Sequence, residues 1–226
     1  VLPRPRLLSV SDVRGVLVYA GPAFVLMSAR IVGNTSMLVA ATALSTSSLA
    51  AYQVAVGVFS LFATAPLSQI CQAVLPPVIE SGDAEAVRRE GKSVMKLAAI
   101  IAAAISILCT SALAFGSGFF TSDPAVLAEI ANITPAIFLA TSTFMITNAV
   151  DGSLVAAKDF GFLVSSQITV ITLQVMFLAA CRERRWPLVL NILSFSGRLI
   201  LFVGASVIRI ACGYGRLGRL VRQKKK

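Results

Sequence analysis

The stretch LAAYQVAVGVFSLFATAPLSQICQAVLPPVIESGD, Leu49 to Asp83, decides how the rest of the chain is read. It is apolar for long enough to cross a bilayer, yet it carries a regular polar seam and a proline near its middle. At 3.6 residues per turn, Gln53, Gly57, Ser60, Thr64 and Ser68 fall on one helical face, with Gln72 drifting off its edge. Pro66 removes a backbone hydrogen bond inside that face. In lipid such a break survives only where neighbouring helices or a water-filled cavity re-satisfy the backbone. A seam of this kind is either one wall of a transport cavity or a helix–helix contact rich in small residues. Spacing alone does not separate the two.

Outward from this stretch, the composition is that of a membrane protein. Of 226 residues, 57% are hydrophobic and 13% charged, against about 45–50% and about 25% in soluble domains. Mean hydropathy is +0.85. A formal net charge of +10 would suggest nucleic acid in a soluble chain. Here the basic residues sit in short flanks between apolar runs, so they are topology signals and no nucleic-acid partner is expected. Cys71, Cys109, Cys181 and Cys212 lie in or at the ends of separate apolar segments without a CxxC, and read as small hydrophobic fillers. Histidine is absent, which removes the commonest metal ligand and the usual proton shuttle. No Ser/His/Asp, HExxH or P-loop pattern is present, so enzyme chemistry, a metal and a cofactor have no visible seat. The start, VLPRPRLLSVSDVRG, has no initiator methionine and reads as a basic loop leading into a helix. The chain is therefore expected to begin inside something longer.

Six apolar segments are long enough to span about 30 Å of hydrocarbon at about 20 residues each: 16–43, 49–79, 94–116, 125–150, 160–181 and 187–212. Residues 1–15 then form a basic linker, 16–212 a six-helix lobe and 213–226 a basic tail. The second segment is expected to end at Pro76-Pro77, followed by an ESGD turn. Ser122 or Asp123 is placed to cap the fourth, with Pro124 at its first helical position. Arg4, Arg6 and Arg14, the Arg88–Lys96 cluster, Lys158 and the basic residues from Arg216 to Lys226 belong to one side. Only Arg182, Arg184 and Arg185 fall on the other, so both ends of the lobe are expected on the basic side.

Ionisable residues inside spans each demand a reason, because one at the bilayer centre costs about 2.5–3.5 kcal/mol even on the lenient insertion scale. Arg30 lies near the middle of the first span, with Asn34 one turn later. It is either an anion-contacting or gating residue, or a buried arginine satisfied by carbonyls of neighbouring helices. In the fourth span Thr134, Thr141 and Asn148 recur every seven residues, and Asp151 and Gly152 close it. A partly buried carboxylate at 151 could load and release a proton. Alternatively, Asp151 is a helix-end aspartate at the water interface, paired with Lys158 or a loop amide. Asn191, Arg198 and Arg209 share a face of the sixth span, where Arg198 reads as structural. The third span is almost featureless and reads as scaffold. Gly213-Tyr214-Gly215-Arg216-Leu217-Gly218 matches GxGxxG but follows a membrane helix instead of a strand, so it is no dinucleotide fingerprint. The terminal Lys224-Lys225-Lys226 is a topology or lipid-headgroup signal.

The order AGPAFVLMSARI, SLAAYQVAVGVFSL, PLSQICQAVLPPVIESGDAEAVRREGK, FFTSDPAV, NAVDGSLVAAKDFGFLVSS resembles the C-terminal half of the multidrug and toxic-compound extrusion (MATE) family. The LAAYQ box, the PLSQICQAVLP run and the DGSLVAAKD element resemble its DNA-damage-inducible branch, closest to plant plastid-envelope members, which include a salicylate exporter. The resemblance covers about Ser11 to Ser166. It implies a twelve-helix transporter of two six-helix lobes around a cavity that opens alternately to each side. Export of small organic compounds would be driven by proton or sodium re-entry, and the partner would be an N-terminal six-helix lobe. Gln53, Gln69 and Gln72 match the second helix of the family's lobe, and Asn148, Asp151 and Gly152 the fourth. Phe144 stands where some bacterial relatives carry an essential aspartate, and Tyr52 where the family often has histidine. CRERRW replaces the usual glycine-containing hairpin.

These readings together give an all-α integral membrane lobe of a secondary antiporter. Arg30, Asn34, Gln53, Ser60, Thr64, Gln69, Gln72, Thr141 and Asn148 are expected to line its cavity, with Asp151 as a cation-coupling site. The competing expectation is a half-size membrane scaffold or regulatory subunit that does not transport. The host membrane is a plastid envelope or a plasma membrane.

Overall fold

The computed structural model describes residues 10–63 and 66–222, the side chains of residues 10–19 excepted. Among these residues the chain forms α1 (Val10–Thr42), α2 (Thr46–Phe62), α3 (Pro66–Ser81), α4 (Ala84–Gly116), α5 (Pro124–Ala156), α6 (Phe160–Arg184), α7 (Leu188–Ala211) and α8 (Gly215–Arg222), with a 3₁₀ turn at Ser117–Phe119. Six stretches are long and apolar enough to cross a membrane: Ala20–Thr42, Thr46–Ser81, Ala84–Phe119, Pro124–Ala156, Phe160–Arg184 and Leu188–Ala211. Their outer faces carry large exposed apolar side chains, among them Phe24, Met27, Ile100, Phe115 and Ile208. Such a surface suits lipid and would be a liability in water. The protein is an all-helical, multi-pass membrane protein.

Helix boundaries follow local chemistry, and several depart from expectation, among them the start of α1, which opens at Val10 inside the expected linker 1–15. Leu49–Asp83 is two helices: α2 closes at Phe62 with Ala63 as its C-cap, and α3 opens on Pro66. Proline lacks an N–H and disfavours the α-conformation in the residue before it, so it is better placed starting a helix than continuing one. The seam therefore does not run unbroken through the stretch. Pro76-Pro77, by contrast, does not stop α3, which continues through both to Ser81 although proline removes a donor and crowds the carbonyl four residues back. The stop comes at Gly82, whose φ of +73° leaves the helical region. Asp83 then caps α4, its Oδ1 accepting from the Glu85 N–H at 2.9 Å and the Ala86 N–H at 3.3 Å. The basic Arg88–Lys96 segment is thus the opening of α4. Beyond α7, residues 215–222 of the expected tail are helical.

At the start of α5 it is Asp123 that caps, accepting from the Ala125 N–H at 2.9 Å, with Pro124 first in the helix. Arg185, at φ +51°, ends α6, and Trp186-Pro187 leads directly into α7. CRERRW is therefore a tight reversal between two regular helices.

Three apolar clusters fix the topology. The first joins the end of α1 (Met37, Ala41), the start of α2, the end of α4 (Leu113), the start of α5 (Val126, Ile130), Leu178 and Leu188. The second joins α3, the start of α4 (Val87), the end of α5 and Leu217 of α8. The third joins Leu26, Leu154, Leu163 and Phe202. Successive spans therefore alternate in direction, and the segments around Arg88, Lys158 and α8 share one face. Helix α5 sits centrally, against α2, α3, α4 and α7. At Gly152 it approaches α3 closely, where an added methyl would lie 2.6 Å from the Ser68 carbonyl oxygen.

Candidate functional site

A cavity of about 330 Å³ opens between α1, α2, α5, α6 and α7, lined by residues that include Arg30, Asn34, Ser60, Asn148, Asp151, Gln167 and Arg198. Asn34 and Ser60 are exposed and Arg30 is partly so, while Asn148, Asp151, Gln167 and Arg198 are buried. At its inner end the Arg30 guanidinium forms a salt bridge with the Asp151 carboxylate, their side chains 41% and 8% exposed. Gln167 Nε2 donates to the other carboxylate oxygen at 3.2 Å. Asp151 therefore does not face the water interface, and its partner is not Lys158. Lys158 instead approaches Glu80 at 3.5 Å on the surface.

Arg198 is the second guanidinium of the cavity. Its Nη1 donates to Gln174 Oε1 at 2.9 Å, its carbon lies 4.7 Å from the Phe195 ring centroid, and its Nε has no partner. A methyl on Gly33 would lie 2.6 Å from that Nη1, so the bare Gly33 backbone lets α1 approach Arg198. The remaining wall is largely apolar and partly aromatic. Phe59 stands edge-on to Phe144 at 5.4 Å and to Phe195 at 5.8 Å, and Phe144 stacks on Phe195 at 6.3 Å. Tyr52 completes it. The lining thus holds two guanidiniums, one carboxylate, three amides and an aromatic face. It can receive a small organic solute of some polarity.

Of the residues expected to line a cavity, the structure brings together Arg30, Asn34, Ser60, Asn148 and Asp151. Gln53, Gln69 and Gln72 are exposed elsewhere on α2 and α3, and Gln72 Nε2 donates to Ser68 Oγ at 3.0 Å. Thr141 is fully buried outside the cavity, its hydroxyl donating to the Ile137 carbonyl at 2.8 Å. Thr134 does the same to Ile130 at 2.7 Å. A hydroxyl bonded to the preceding turn is satisfied within its own helix, so the seven-residue polar repeat of α5 does not make a continuous polar wall. Thr64 lies outside the described residues.

Sequence reasoning missed Gln167 and underrated Arg198. A signal was present: Gln167 and Gln174 in α6, and Asn191 and Arg198 in α7, are pairs seven apart in otherwise apolar spans. Asn191 Nδ2 donates to the Met37 carbonyl at 2.8 Å, tying α7 to α1. All four cysteines are free, with Cys71, Cys109 and Cys181 buried. Among the described residues no cluster of acidic or sulfur side chains gathers that could hold a metal.

No protein-family model matches the chain. No solved structure matches it either. Among curated proteins, it is similar to Protein DETOXIFICATION 47, chloroplastic, of Arabidopsis thaliana, at 25% identity over 165 residues, which is 70% of this chain and 30% of that relative. The chain thus spans less than a third of the length of the curated relative it matches.

Proposed function

We propose that this chain is one six-helix lobe, the C-terminal half, of a MATE-type secondary antiporter that exports small organic compounds in exchange for protons or sodium. The observation that carries the proposal is the Arg30–Asp151 salt bridge at the inner end of a cavity bounded by five helices. Charges within a bilayer are expensive, and where they line a cavity they mark solute or ion pathways. The similarity to a DETOXIFICATION protein supports the same reading.

Asp151 is the coupling group in this proposal. A proton or sodium ion on its carboxylate competes with the Arg30 guanidinium, so cation entry frees Arg30 and loosens α1 from α5. Arg30, with Arg198 and the orphaned Asn148 Nδ2, then faces the solute. Two guanidiniums against one carboxylate favour organic anions and neutral compounds over organic cations. Ser60, Asn34 and the Phe59–Phe144–Phe195 wall supply the remaining contacts. Gln53, Gln69 and Gln72, exposed on α2 and α3, are assigned to the surface that meets the N-terminal lobe.

The test is flux in proteoliposomes, with the chain alone and with the chain joined to an N-terminal lobe, under imposed proton and sodium gradients. Fluorescent organic anions and cations serve as solutes. Gradient-driven flux that vanishes in Asp151→Asn is the expected result. Flux with unaltered ion dependence in Asp151→Asn would overturn the coupling role. Absence of flux from both forms, with folding verified, would favour the non-transporting scaffold.

A further inference from the structure

We propose that the corner between α7 and α8 binds the phosphate of an anionic phospholipid headgroup in the leaflet on the basic side. The site is distinct from the central cavity and does not depend on transport. It is an open pocket of about 600 Å³ lined by Lys158, Asp159, Arg209, Tyr214, Arg216 and Arg219, among others. Four cations therefore surround one carboxylate. That carboxylate is already taken: Arg209 Nε donates to Asp159 Oδ2 at 3.1 Å, and its Nη2 donates to Oδ1 at 3.3 Å. Arg216 and Arg219 have no acidic partner among the described residues. They are three apart on α8, hence on one face.

The corner is built to hold those two side chains in place. Gly213 and Gly215 take φ of +83° and +75°, reversing the chain between α7 and α8. Gly218 packs so closely that an added methyl would lie 2.8 Å from the Gly213 carbonyl carbon and 3.1 Å from the Ile210 carbonyl oxygen. The GxGxxG spacing, irrelevant to dinucleotides, is thus the signature of this reversal. On its other face α8 places Leu217, Leu220 and Val221 against the base of α3, α4 and α5. Its carboxyl end is held by Arg88, which donates to the Val221 carbonyl, and Arg222 donates back to the Cys212 carbonyl at 3.1 Å. The amino end of α8, where the helix dipole is positive, opens into the pocket.

Position selects the ligand. The pocket lies directly after a span, beside Tyr214, which is 65% exposed and of a type that favours the headgroup level. Val207 and Ile208 of α7, 55% and 65% exposed, provide apolar surface for acyl chains close by in the chain. Free phosphate shares the headgroup's chemistry but gains nothing from that surface.

The test places a fluorophore on Cys212, the exposed cysteine, in the full chain reconstituted in phosphatidylcholine vesicles. Quenching is measured as doxyl-labelled phosphatidylglycerol or doxyl-labelled phosphatidylcholine is added. The expected result is preferential quenching by phosphatidylglycerol, with the preference falling about five-fold for each basic residue removed in Arg216→Gln plus Arg219→Gln. Arg184→Gln plus Arg185→Gln, on the opposite side, leaves it intact, as does millimolar inorganic phosphate. If the first double variant does not fold, Lys158→Gln plus Arg219→Gln, both exposed, replaces it with the same expectation. A preference unchanged in the corner variant, or lost equally in the opposite-side variant, overturns the site. Loss of the preference to inorganic phosphate overturns the lipid as its occupant.

Discussion

Gly152→Ala should destabilise the helical bundle, although the same exchange in most helix interiors does the reverse. A methyl at 152 would lie 2.6 Å from the Ser68 carbonyl oxygen, 2.8 Å from Ser68 Cα and 2.8 Å from Cys71 Cβ. Ordinary contact begins at 3.4 Å, so α3 and α5 must part by nearly an ångström. Two of the three obstructing atoms are backbone, which no rotamer change can relieve. Overpacking of this kind costs about 1–3 kcal/mol, against an intrinsic gain of about 1 kcal/mol for replacing a helical glycine by alanine. A net loss of up to about 2 kcal/mol is expected. Gly204→Ala is the internal control, because nothing lies within 4 Å of an added methyl there. It should stabilise by up to about 1 kcal/mol. Reversible unfolding in mixed detergent micelles, titrated with sodium dodecyl sulfate, measures both. Equal stability of the two variants would refute the close α3–α5 approach.

The Arg30–Asp151 pair predicts an unequal response to losing either partner. Arg30→Gln strands a carboxylate only 8% exposed and should cost about 3–5 kcal/mol. Asp151→Asn leaves a guanidinium that is 41% exposed and can turn outward, so it should cost less. The Arg30→Gln plus Asp151→Asn double variant should recover part of the larger loss, and a double-mutant cycle by detergent unfolding reads all three. Asn148 Nδ2 is buried without a partner in the cavity lining. Asn148→Ala should therefore change stability by less than about 1 kcal/mol while weakening binding of a polar solute, measured by fluorescence titration.

Much of the fold was legible because membrane helices are selected by single-segment properties. Length, apolarity and flanking charge mark each span whatever its neighbours do. The Asp123-Pro124 start was readable for the same reason, since caps act within a few residues. Legibility failed where two local rules competed. Pro66 and Pro76-Pro77 carry the same chemistry, yet one opens a helix and the other two ride inside it. The site was half legible. Arg30 and Asp151 stand out as charges in apolar spans, but their pairing across 121 positions of chain does not. The seven-residue polar repeat of α5 misled because a serine or threonine hydroxyl can bond its own preceding turn, as Thr141 does to the Ile137 carbonyl at 2.8 Å. Periodicity counts such a group as polar, although its donor is already used within the helix.

The sequence by itself determined the solvent, the number of spans and the charged side, because each depends on free energies that add residue by residue along one segment. Only the tertiary structure decided which polar groups meet. That depends on the rotation and depth of each helix against its neighbours, set by contacts such as Gly152 on Ser68 and Gly33 beneath Arg198. Rotating a helix by one residue turns its face by about 100°. The helical period of Leu49–Asp83 thus named a face, and packing left its Gln53, Gly57 and Ser60 exposed on α2 while setting Ser68, beyond Pro66, against Gly152.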